Sequence, residues 1–366
     1  MARLRFEAVS HRYDDGPWVL RDLDLDVPDG EAHALLGPSG AGKSTLLNLL
    51  SGLRTPTAGR ILLDDADVTR ASPRERNVAQ VFQFPVVYDG LTVRGNLEFP
   101  LRNQGMAPAA RRARVDAVAE LMELTGVLDA RSRVLSAYDR QKAAMARALV
   151  RPDVAAVLLD EPLTAVEPAA KWRLRRALKT VQRELGLTMI YVTHDQLEAL
   201  SFADRVSVMA EGGILQAAPP AELFDDPQHA FVGHFIGSPG MNLVAARIEG
   251  GALSVAGQRV DLDGSLPDGP CEVGFRPEDG AAVAAAEPAV DAGRVSFPFH
   301  VEDVRTLGIR GGRSWGLVRG DLSGTPVHLR QGTDGLAPGA GVLSVARDRL
   351  RVFRDGWRLD AGEAAR

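Results

Sequence analysis

The segment from Gly37 to Thr45 constrains the fold of this chain more than any other. It fits the phosphate-binding pattern G-x-x-x-x-G-K-[ST] with Gly37, Pro38, Ser39, Gly40, Ala41, Gly42, Lys43 and Ser44, and Thr45 follows. The glycines permit a tight turn whose backbone N–H groups approach phosphate oxygens. Lys43 can reach the β- and γ-phosphates, and the Ser44 hydroxyl can hold Mg²⁺. The sequence therefore predicts a nucleoside triphosphate site.

The residues on either side of this segment support that prediction. His33–Leu36 is a short apolar run typical of a strand, and Ser44–Ser51 has the composition of a helix. A helix that begins at such a loop directs its positive dipole end toward the phosphates. Because the chain contains 37 glycines, a bare match could arise by chance, but a match between strand and helix indicates a functional loop.

Composition narrows the possible functions. With 366 residues and a net charge of −5, the chain can form two or three domains and shows no overall attraction to nucleic acid. The clusters Arg111–Arg114 and Arg173–Arg176 are typical of solvated helix faces. The single Cys271 suits a reducing cytoplasm. We see no secretory signal and no apolar run of membrane-spanning length, so another chain must supply any membrane part.

The pattern of strands and helices predicts an α/β fold with a parallel sheet up to about residue 238, including a helical subdomain at about 88–152. Beyond it, short alternating segments between Gly, Pro and Asp turns predict a small all-β barrel or sandwich over 239–366. Predicted strands lie at 4–9, 23–27, 60–63, 77–82, 154–159, 187–192, 206–209 and 214–216. Predicted helices lie at 111–124, 143–150 and 168–185.

Two carboxylates follow the apolar run Val154–Leu159. Asp160 is placed to hold the Mg²⁺ shell opposite Ser44, and Glu161 to activate or orient the attacking water beside the γ-phosphate. An Asp-Glu pair usually belongs to a solvated loop. Here it ends a predicted buried strand in a chain with a phosphate loop, which favours the functional interpretation.

Gln83 and His194 also follow predicted strands. The Gln83 amide could touch both Mg²⁺ and the attacking water, and His194 could donate a hydrogen bond to a γ-phosphate at the ligand side of the sheet. A lone histidine is more often structural than catalytic, and a lone glutamine is weak evidence.

The order of these features resolves the doubt: an aromatic residue, the phosphate loop, a strand-end Gln, a Leu-Ser segment that opens a helix, apolar-Asp-Glu-Pro and a strand-end His. Over residues 3–240 the chain resembles the ATPase subunit of an ATP-binding cassette (ABC) transporter. The resemblance implies a P-loop cassette with a RecA-like parallel sheet, and ATP and Mg²⁺ as its ligands. It also implies a role for each motif: Tyr13 stacks on adenine, Gly37–Thr45 is Walker A, and Gln83 is the Q-loop. Asp160 and the catalytic Glu161 form Walker B, and His194 is the switch histidine.

The tail resembles importers of carbohydrates and polyols, of the maltose or glycerol type. The matching segments are Tyr191–Gln196 followed by Glu198-Ala199, then Asp226–Pro227, Phe235–Asn242 and Phe275–Glu278. This resemblance implies an OB-like, TOBE-type regulatory domain at the C-terminus, membrane permeases that dock near Gln83, and an extracytoplasmic solute-binding protein. It places the chain at the cytoplasmic face of the inner membrane and implies no nucleic-acid partner.

One motif departs from the family. Its signature Leu-Ser-Gly-Gly-Gln, which closes over the ATP of a second subunit, is here Leu135 followed by Ser136, Ala137, Tyr138 and Asp139. Two side chains fill the space of the glycines, and a carboxylate near phosphate is repulsive. The segment after Walker B, Leu163–Glu167, ends in Glu where the family has Asp.

These departures predict asymmetric sites and a heterodimer with a second, non-identical ATPase subunit. A compensating shift that accommodates Tyr138 and Asp139 is the alternative. Two further functions remain open: a regulatory nucleotide-binding subunit with little hydrolysis, or a non-transport ABC ATPase acting on ribosomes or DNA. The sequence does not identify the solute.

Overall fold

The computed structural model describes residues 2–261, 266–284 and 293–359. The chain forms two compact units, Met1–Pro220 and Ala221–Arg366. The sequence-based boundary at residue 238 lies further along the chain, beyond two short helices.

The first unit contains ten strands among the described residues: β1 Leu4–Arg12, β2 Trp18–Val27, β3 Ala32–Leu36, β4 Ala58–Leu63, β5 Ala66–Asp67, β6 Ala79–Val81, β7 Val157–Asp160, β8 Met189–Thr193, β9 Arg205–Ala210 and β10 Gly213–Ala218. Its helices are α1 Lys43–Leu50, α2 Pro73–Arg76, α3 Val93–Asn103, α4 Pro108–Leu121, α5 Ala137–Leu149, α6 Pro168–Leu185 and α7 Gln196–Phe202. Short 3₁₀ turns lie at Thr125–Val127 and Ser132–Val134.

A six-stranded sheet forms the centre of this unit, in the order β10-β9-β3-β8-β7-β6. All neighbours are parallel except β9 and β10. Every residue of β3 and β8 is buried, as expected for strands covered on both faces. The predicted α/β fold with a parallel sheet is confirmed. The carboxyl ends of β3, β7 and β8 share one edge, because these strands run in the same direction.

A second sheet, antiparallel and in the order β2-β1-β4-β5, contains the first strands of the chain. The sequence predicted β1, β2 and β4, but neither β5 nor a separate sheet for these strands. Burial alternates along β1, so one face enters the core. Leu4 and Phe6 from this sheet share a hydrophobic core with Leu46 of α1 and with Leu158 and Ile190 of the parallel sheet.

Between β6 and β7 the described chain is helical. The helices predicted at 111–124 and 143–150 begin earlier in the structure, at Pro108 and Ala137. Pro108 stands at the first position of α4, where its missing N–H costs no hydrogen bond. Ser136 caps α5. A proline thus marks the start of α4 and a serine cap the start of α5, and apolar spacing indicated neither boundary.

The second unit begins with helices α8 Pro220–Asp225 and α9 Ala230–Phe235 and continues as strands. These are β11 Asn242–Glu249, β12 Ala252–Val255, β13 Gln258–Asp261, β14 Gly269–Phe275, β15 Gly280–Ala284, β16 Arg294–Arg310, β17 Arg313–Leu322, β18 Thr325–Gly332, β19 Gly339–Ala346, β20 Arg351–Arg354 and β21 Trp357–Arg358, with a 3₁₀ turn at Arg347–Arg349. They form two antiparallel sheets, β13-β12-β11-β14-β20-β21 and β15-β19-β16-β17-β18.

Both sheets of the second unit contribute to one core, with Val273 and Phe275 from the first and Phe297 and Leu343 from the second. The all-β prediction for this region is confirmed. Among the described residues, no helix of either unit is long and apolar enough to cross a membrane.

Candidate nucleotide site

The phosphate loop joins β3 to α1, and two of its glycines are required by their surroundings. Gly42 has φ +97°, and a Cβ there would lie 2.6 Å from the Leu20 side chain. A Cβ on Gly37 would lie 2.3 Å from the carbonyl oxygen of Met209. The loop therefore packs too closely against its neighbours to accept side chains at these positions.

Lys43 is buried against this loop. Its Nζ donates to the carbonyl oxygens of Gly37 at 2.7 Å and Pro38 at 2.8 Å. Burial lowers the pKa of Lys43, while the carboxylates of Glu161 and Asp160 act in the opposite direction. Among the described residues no side chain caps α1, and its first turn contains no acidic residue. The N-terminus of α1 thus presents its N–H groups and a lysine to an anion.

Ser44 and Asp160 meet at the carboxyl edge of the sheet. The Ser44 hydroxyl donates to Asp160 Oδ1 at 3.4 Å. Burial and the neighbouring Glu161 raise the pKa of Asp160, so a cation beside this carboxylate would stabilise its ionised form. One hydroxyl and one carboxylate fit Mg²⁺, which takes few protein ligands when phosphates supply the others. Of the described residues, no group of three His, Cys, Asp or Glu side chains forms a fuller metal cage.

Glu161 and His194 come together although 33 positions separate them in the chain. Asp160 lies opposite Val192 in the β7–β8 ladder, and the Glu161 N–H donates to the Val192 carbonyl at 3.0 Å. Glu161 Oε1 lies 3.0 Å from His194 Nδ1. Glu161 has φ +43°, a backbone conformation that is costly for a residue with a Cβ and that often occurs at functional sites.

The second carboxylate oxygen of Glu161 is also held. Thr164, in the turn after β7, donates its hydroxyl to Glu161 Oε2 at 3.2 Å. The sequence analysis did not include Thr164 among the site residues, because a threonine three positions after a carboxylate is unremarkable without the turn. The resulting arrangement holds a carboxylate between an imidazole and a hydroxyl, where it can orient a water molecule.

Tyr13 lies at the start of α1, where its hydroxyl is 3.0 Å from Thr45 Oγ1. Tyr13 as a residue is 38% exposed, and its stacking on adenine stays a prediction. The Arg54 guanidinium lies 5.5 Å from the ring centroid, and the His11 ring meets its edge at 5.0 Å. The sequence analysis did not predict Arg54 or His11 near Tyr13, because no local pattern connects these positions.

Gln83 is half-buried and follows β6, which ends at Val81, one residue short of the predicted strand end. Within the residues that the structure describes, no hydrogen bond joins Gln83 to Ser44, Asp160 or Glu161. Its contact with the metal and with water stays a prediction.

The segment Ser136–Asp139 forms the first turn of α5. The Ser136 hydroxyl accepts the Asp139 N–H at 3.0 Å and donates to Asp139 Oδ2 at 2.8 Å. Lys142 Nζ lies 3.1 Å from Asp139 Oδ1 and 4.8 Å from the centroid of the Tyr138 ring. Ala137 lies exposed in the same turn. The carboxylate that departs from the family signature is therefore bound to its own helix.

The body of α5 is attached to both neighbouring segments. Buried Gln141 donates to the Pro162 carbonyl at 2.7 Å, in the turn that follows the Asp160-Glu161 pair. Lys142, also buried, donates to the Glu123 carbonyl at 2.8 Å. These contacts connect the signature segment to the residues after β7.

Comparison with known proteins identifies the family. The ABC transporter pattern matches residues 20–164. Over 366 residues the chain is 41% identical to the sn-glycerol-3-phosphate import ATP-binding protein UgpC of Cereibacter sphaeroides, covering 100% of this chain and 98% of that protein. It is 39% identical over 369 residues to UgpC 3 of Rhizobium etli, a protein with the same description, covering 98% of this chain and all of that protein.

Two solved structures resemble the cassette. One is cbiO1 from Clostridium perfringens, part of the ABC transporter complex cbiONQ, with a TM-score of 0.57 and 29% identity. It matches 61% of this chain and 90% of its own. The other is a dimeric ATP-binding cassette in a post-hydrolysis state, bound to ADP and Pi, with a TM-score of 0.52, 28% identity, and coverage of 59% and 98% respectively. The chain therefore belongs to the ABC transporter family, as an ATP-binding subunit that hydrolyses ATP.

Proposed function

We propose that this chain energises the import of a carbohydrate or polyol of the glycerol class through separate membrane permeases, at the cytoplasmic face of the inner membrane. The proposal that this chain supplies the energy by hydrolysing ATP rests on the contact of Glu161 with His194, beside Ser44 and Asp160. An extracytoplasmic solute-binding protein would deliver the solute, and the permeases would dock near Gln83.

The chemistry follows from the positions of the side chains. Lys43 and the N–H groups of α1 would bind the β- and γ-phosphates, and Tyr13 would stack on adenine. Ser44 and Asp160 would hold Mg²⁺, which would neutralise charge on the phosphates. Gln83 is predicted to be a further ligand of this ion. Glu161 would orient the attacking water and accept its proton. His194 would contact both Glu161 and the γ-phosphate and keep their relative position.

The identity of the solute rests on resemblance to other proteins alone. The full-length relatives are named for import of sn-glycerol 3-phosphate, which supports that ester as the first candidate solute. Glycerol itself is the second candidate, from the resemblance of the sequence to glycerol-type importers. Uptake of each labelled compound by proteoliposomes that contain the assembled transporter separates the two. ATP-driven uptake of neither would overturn the proposed solute class.

We further propose that the second ATPase subunit of the transporter is a different chain. The support comes from the first turn of α5. There, Asp139 is hydrogen-bonded to Ser136 and forms an ion pair with Lys142. A helix N-terminus with its own carboxylate attracts a second anion less strongly. The names of the relatives mention no second ATPase, so this pairing rests on the signature segment.

Mixing this chain with the second cassette of its transporter tests the pairing. We expect ATPase activity of the mixture well above that of either chain alone. Full activity from this chain as a homodimer would mean that Tyr138 and Asp139 are accommodated.

A regulatory subunit without hydrolysis is the alternative. The Glu161–His194 contact argues against it, because a non-hydrolysing subunit has no need to keep a carboxylate in that geometry. The substitution Glu161→Gln in this chain alone, within the assembled transporter, distinguishes the two. An unchanged rate of hydrolysis would favour the regulatory role.

A further inference from the structure

A buried carboxylate lies behind the switch histidine and has no part in the chemistry described above. Glu198, on α7, is only 3% exposed. Its Oε2 accepts the Tyr191 hydroxyl at 3.0 Å and the Thr193 hydroxyl at 3.1 Å. Its Oε1 accepts Lys171 Nζ at 2.9 Å. Three donors from two other elements, β8 and α6, thus converge on this one side chain.

The same residues close the turn that presents His194. The Thr193 hydroxyl accepts the Asp195 N–H at 3.0 Å, and Asp195 Oδ1 accepts the Glu198 N–H at 3.1 Å. Residues on both sides of His194 are therefore fixed, although 56% of its own side chain is exposed. An exposed imidazole with few contacts of its own depends on its backbone for its position.

Tyr191 is suited to donate its hydroxyl hydrogen to Glu198. Burial and the Glu198 carboxylate raise the pKa of Tyr191 well above its usual value, so the phenol stays protonated and donates. A buried ion carries a desolvation cost that apolar side chains of similar size would avoid, so packing alone does not explain a carboxylate here.

Lys171 connects this cluster to another functional segment. It lies in the first turn of α6, which begins at Pro168, directly after the segment Leu163–Glu167. The Glu167 carbonyl accepts the Lys171 N–H at 3.1 Å. The ion pair thus joins the start of α6 to α7, and the Glu198 side chain also binds Thr193, the last residue of β8, directly before His194.

We infer that Glu198 is a positioning residue for ATP hydrolysis: with Thr193 and Lys171 it holds the β8 end so that His194 Nδ1 meets Glu161. This inference rests on the proposed role of His194. It predicts that Glu198 acts on the rate of hydrolysis rather than on the binding of ATP, because no contact described for its side chain reaches the phosphate loop.

The first test is Glu198→Gln in the full chain, assayed with its partner subunits. Gln keeps the size of the side chain but cannot accept hydrogen bonds from Tyr191, Thr193 and Lys171 together. We expect kcat to fall about tenfold while KM for ATP changes less than about twofold. Glu184→Gln, the same change at an exposed position of α6, should leave both constants unchanged.

Thr193 supplies a second test that does not disturb the buried charge. Thr193→Val removes the hydroxyl that joins Asp195 to Glu198 and should lower kcat by a similar factor. Thr193→Ser keeps that hydroxyl and should therefore have a kcat close to that of the unsubstituted chain. If Glu198→Gln fails to fold, the comparison of Thr193→Val with Thr193→Ser tests the inference instead. Equal rates of ATP hydrolysis in these two variants would overturn it.

A double substitution separates this inference from the role of His194. If Glu198 acts through His194, adding Glu198→Gln to His194→Ala should cause no further loss. Independent, multiplying losses would overturn the inference while leaving His194 catalytic. An unchanged kcat in His194→Ala alone would instead remove the proposed role of His194, and the inference with it.

Discussion

Two helices of the cassette begin at segments that the sequence assigns to phosphate, and they begin in opposite ways. At α1, Gly42 precedes the helix, with no side-chain cap among the described residues and no acid in the first turn. At α5, Ser136 caps the helix and Asp139 stands in its first turn, bound to Ser136 and Lys142. Both carry the same backbone dipole, but only α1 leaves it uncompensated.

The difference is that side chains of α5 satisfy its own N-terminus, whereas the N-terminus of α1 has no side-chain cap among the described residues. At the N-terminus of α5, a serine hydroxyl accepts a backbone N–H and an aspartate carboxylate supplies negative charge. At α1, phosphate oxygens would do both. In this chain the first turn of α1 is arranged to bind a ligand, whereas that of α5 is arranged to stabilise its helix.

The largest effect is expected at the complete site. Glu161→Gln should keep ATP binding but lower the rate of hydrolysis by about 10²–10⁴-fold, because the amide cannot accept the proton of the attacking water. The measurement is ATP turnover beside equilibrium ATP binding. Glu184→Gln serves as the matched control, and near-normal turnover in Glu161→Gln would assign the base elsewhere.

A gain of activity is expected at α5. Ala137→Gly, Tyr138→Gly and Asp139→Gln together recreate the family signature and remove the carboxylate from the first turn. The ATPase rate of this chain alone should then rise at least about tenfold, the value of one well-placed charge-assisted contact. No rise would mean that α5 does not limit the homodimer, and the comparison of the two helices would lose its functional meaning.

The same substitution at each helix should affect stability at only one of them. Ser136→Ala removes a cap and should lower the free energy of unfolding by about 1 kcal/mol. Ser44→Ala removes no cap, so stability should change little while hydrolysis falls. Urea denaturation of both variants measures this, and equal losses of stability would contradict it.

The smallest effect is a pH-dependent gain in stability at the nucleotide site. Burial and Glu161 raise the folded-state pKa of Asp160 above 3.8, so its ionised form costs stability at neutral pH. Asp160→Asn removes this cost. We expect a higher Tm than that of the unsubstituted chain at pH 7, without nucleotide. The gain should shrink as the pH falls through the raised pKa and disappear below about 3.8; a gain independent of pH would assign it to another cause.

The sequence allowed the phosphate loop and the Asp160-Glu161 pair to be predicted as site residues, because the residues of each are contiguous and occur at the ends of apolar runs. For the start of α5, the order of motifs placed a helix after the Leu-Ser segment, whereas apolar spacing did not. Apolar spacing indicated residue 143, but the Ser136 cap begins the helix at Ala137. The antiparallel sheet of β1, β2, β4 and β5 was also not foreseen, since alternation predicts a half-buried strand but not its neighbour.

The sequence by itself determined that a nucleoside triphosphate site is present, because the steric and charge requirements of phosphate are met by adjacent residues. Only the tertiary structure decided where Glu198 acts. Glu198 gathers donors from β8 and α6. Contacts between distant segments depend on how sheets and helices pack, and no local pattern encodes them.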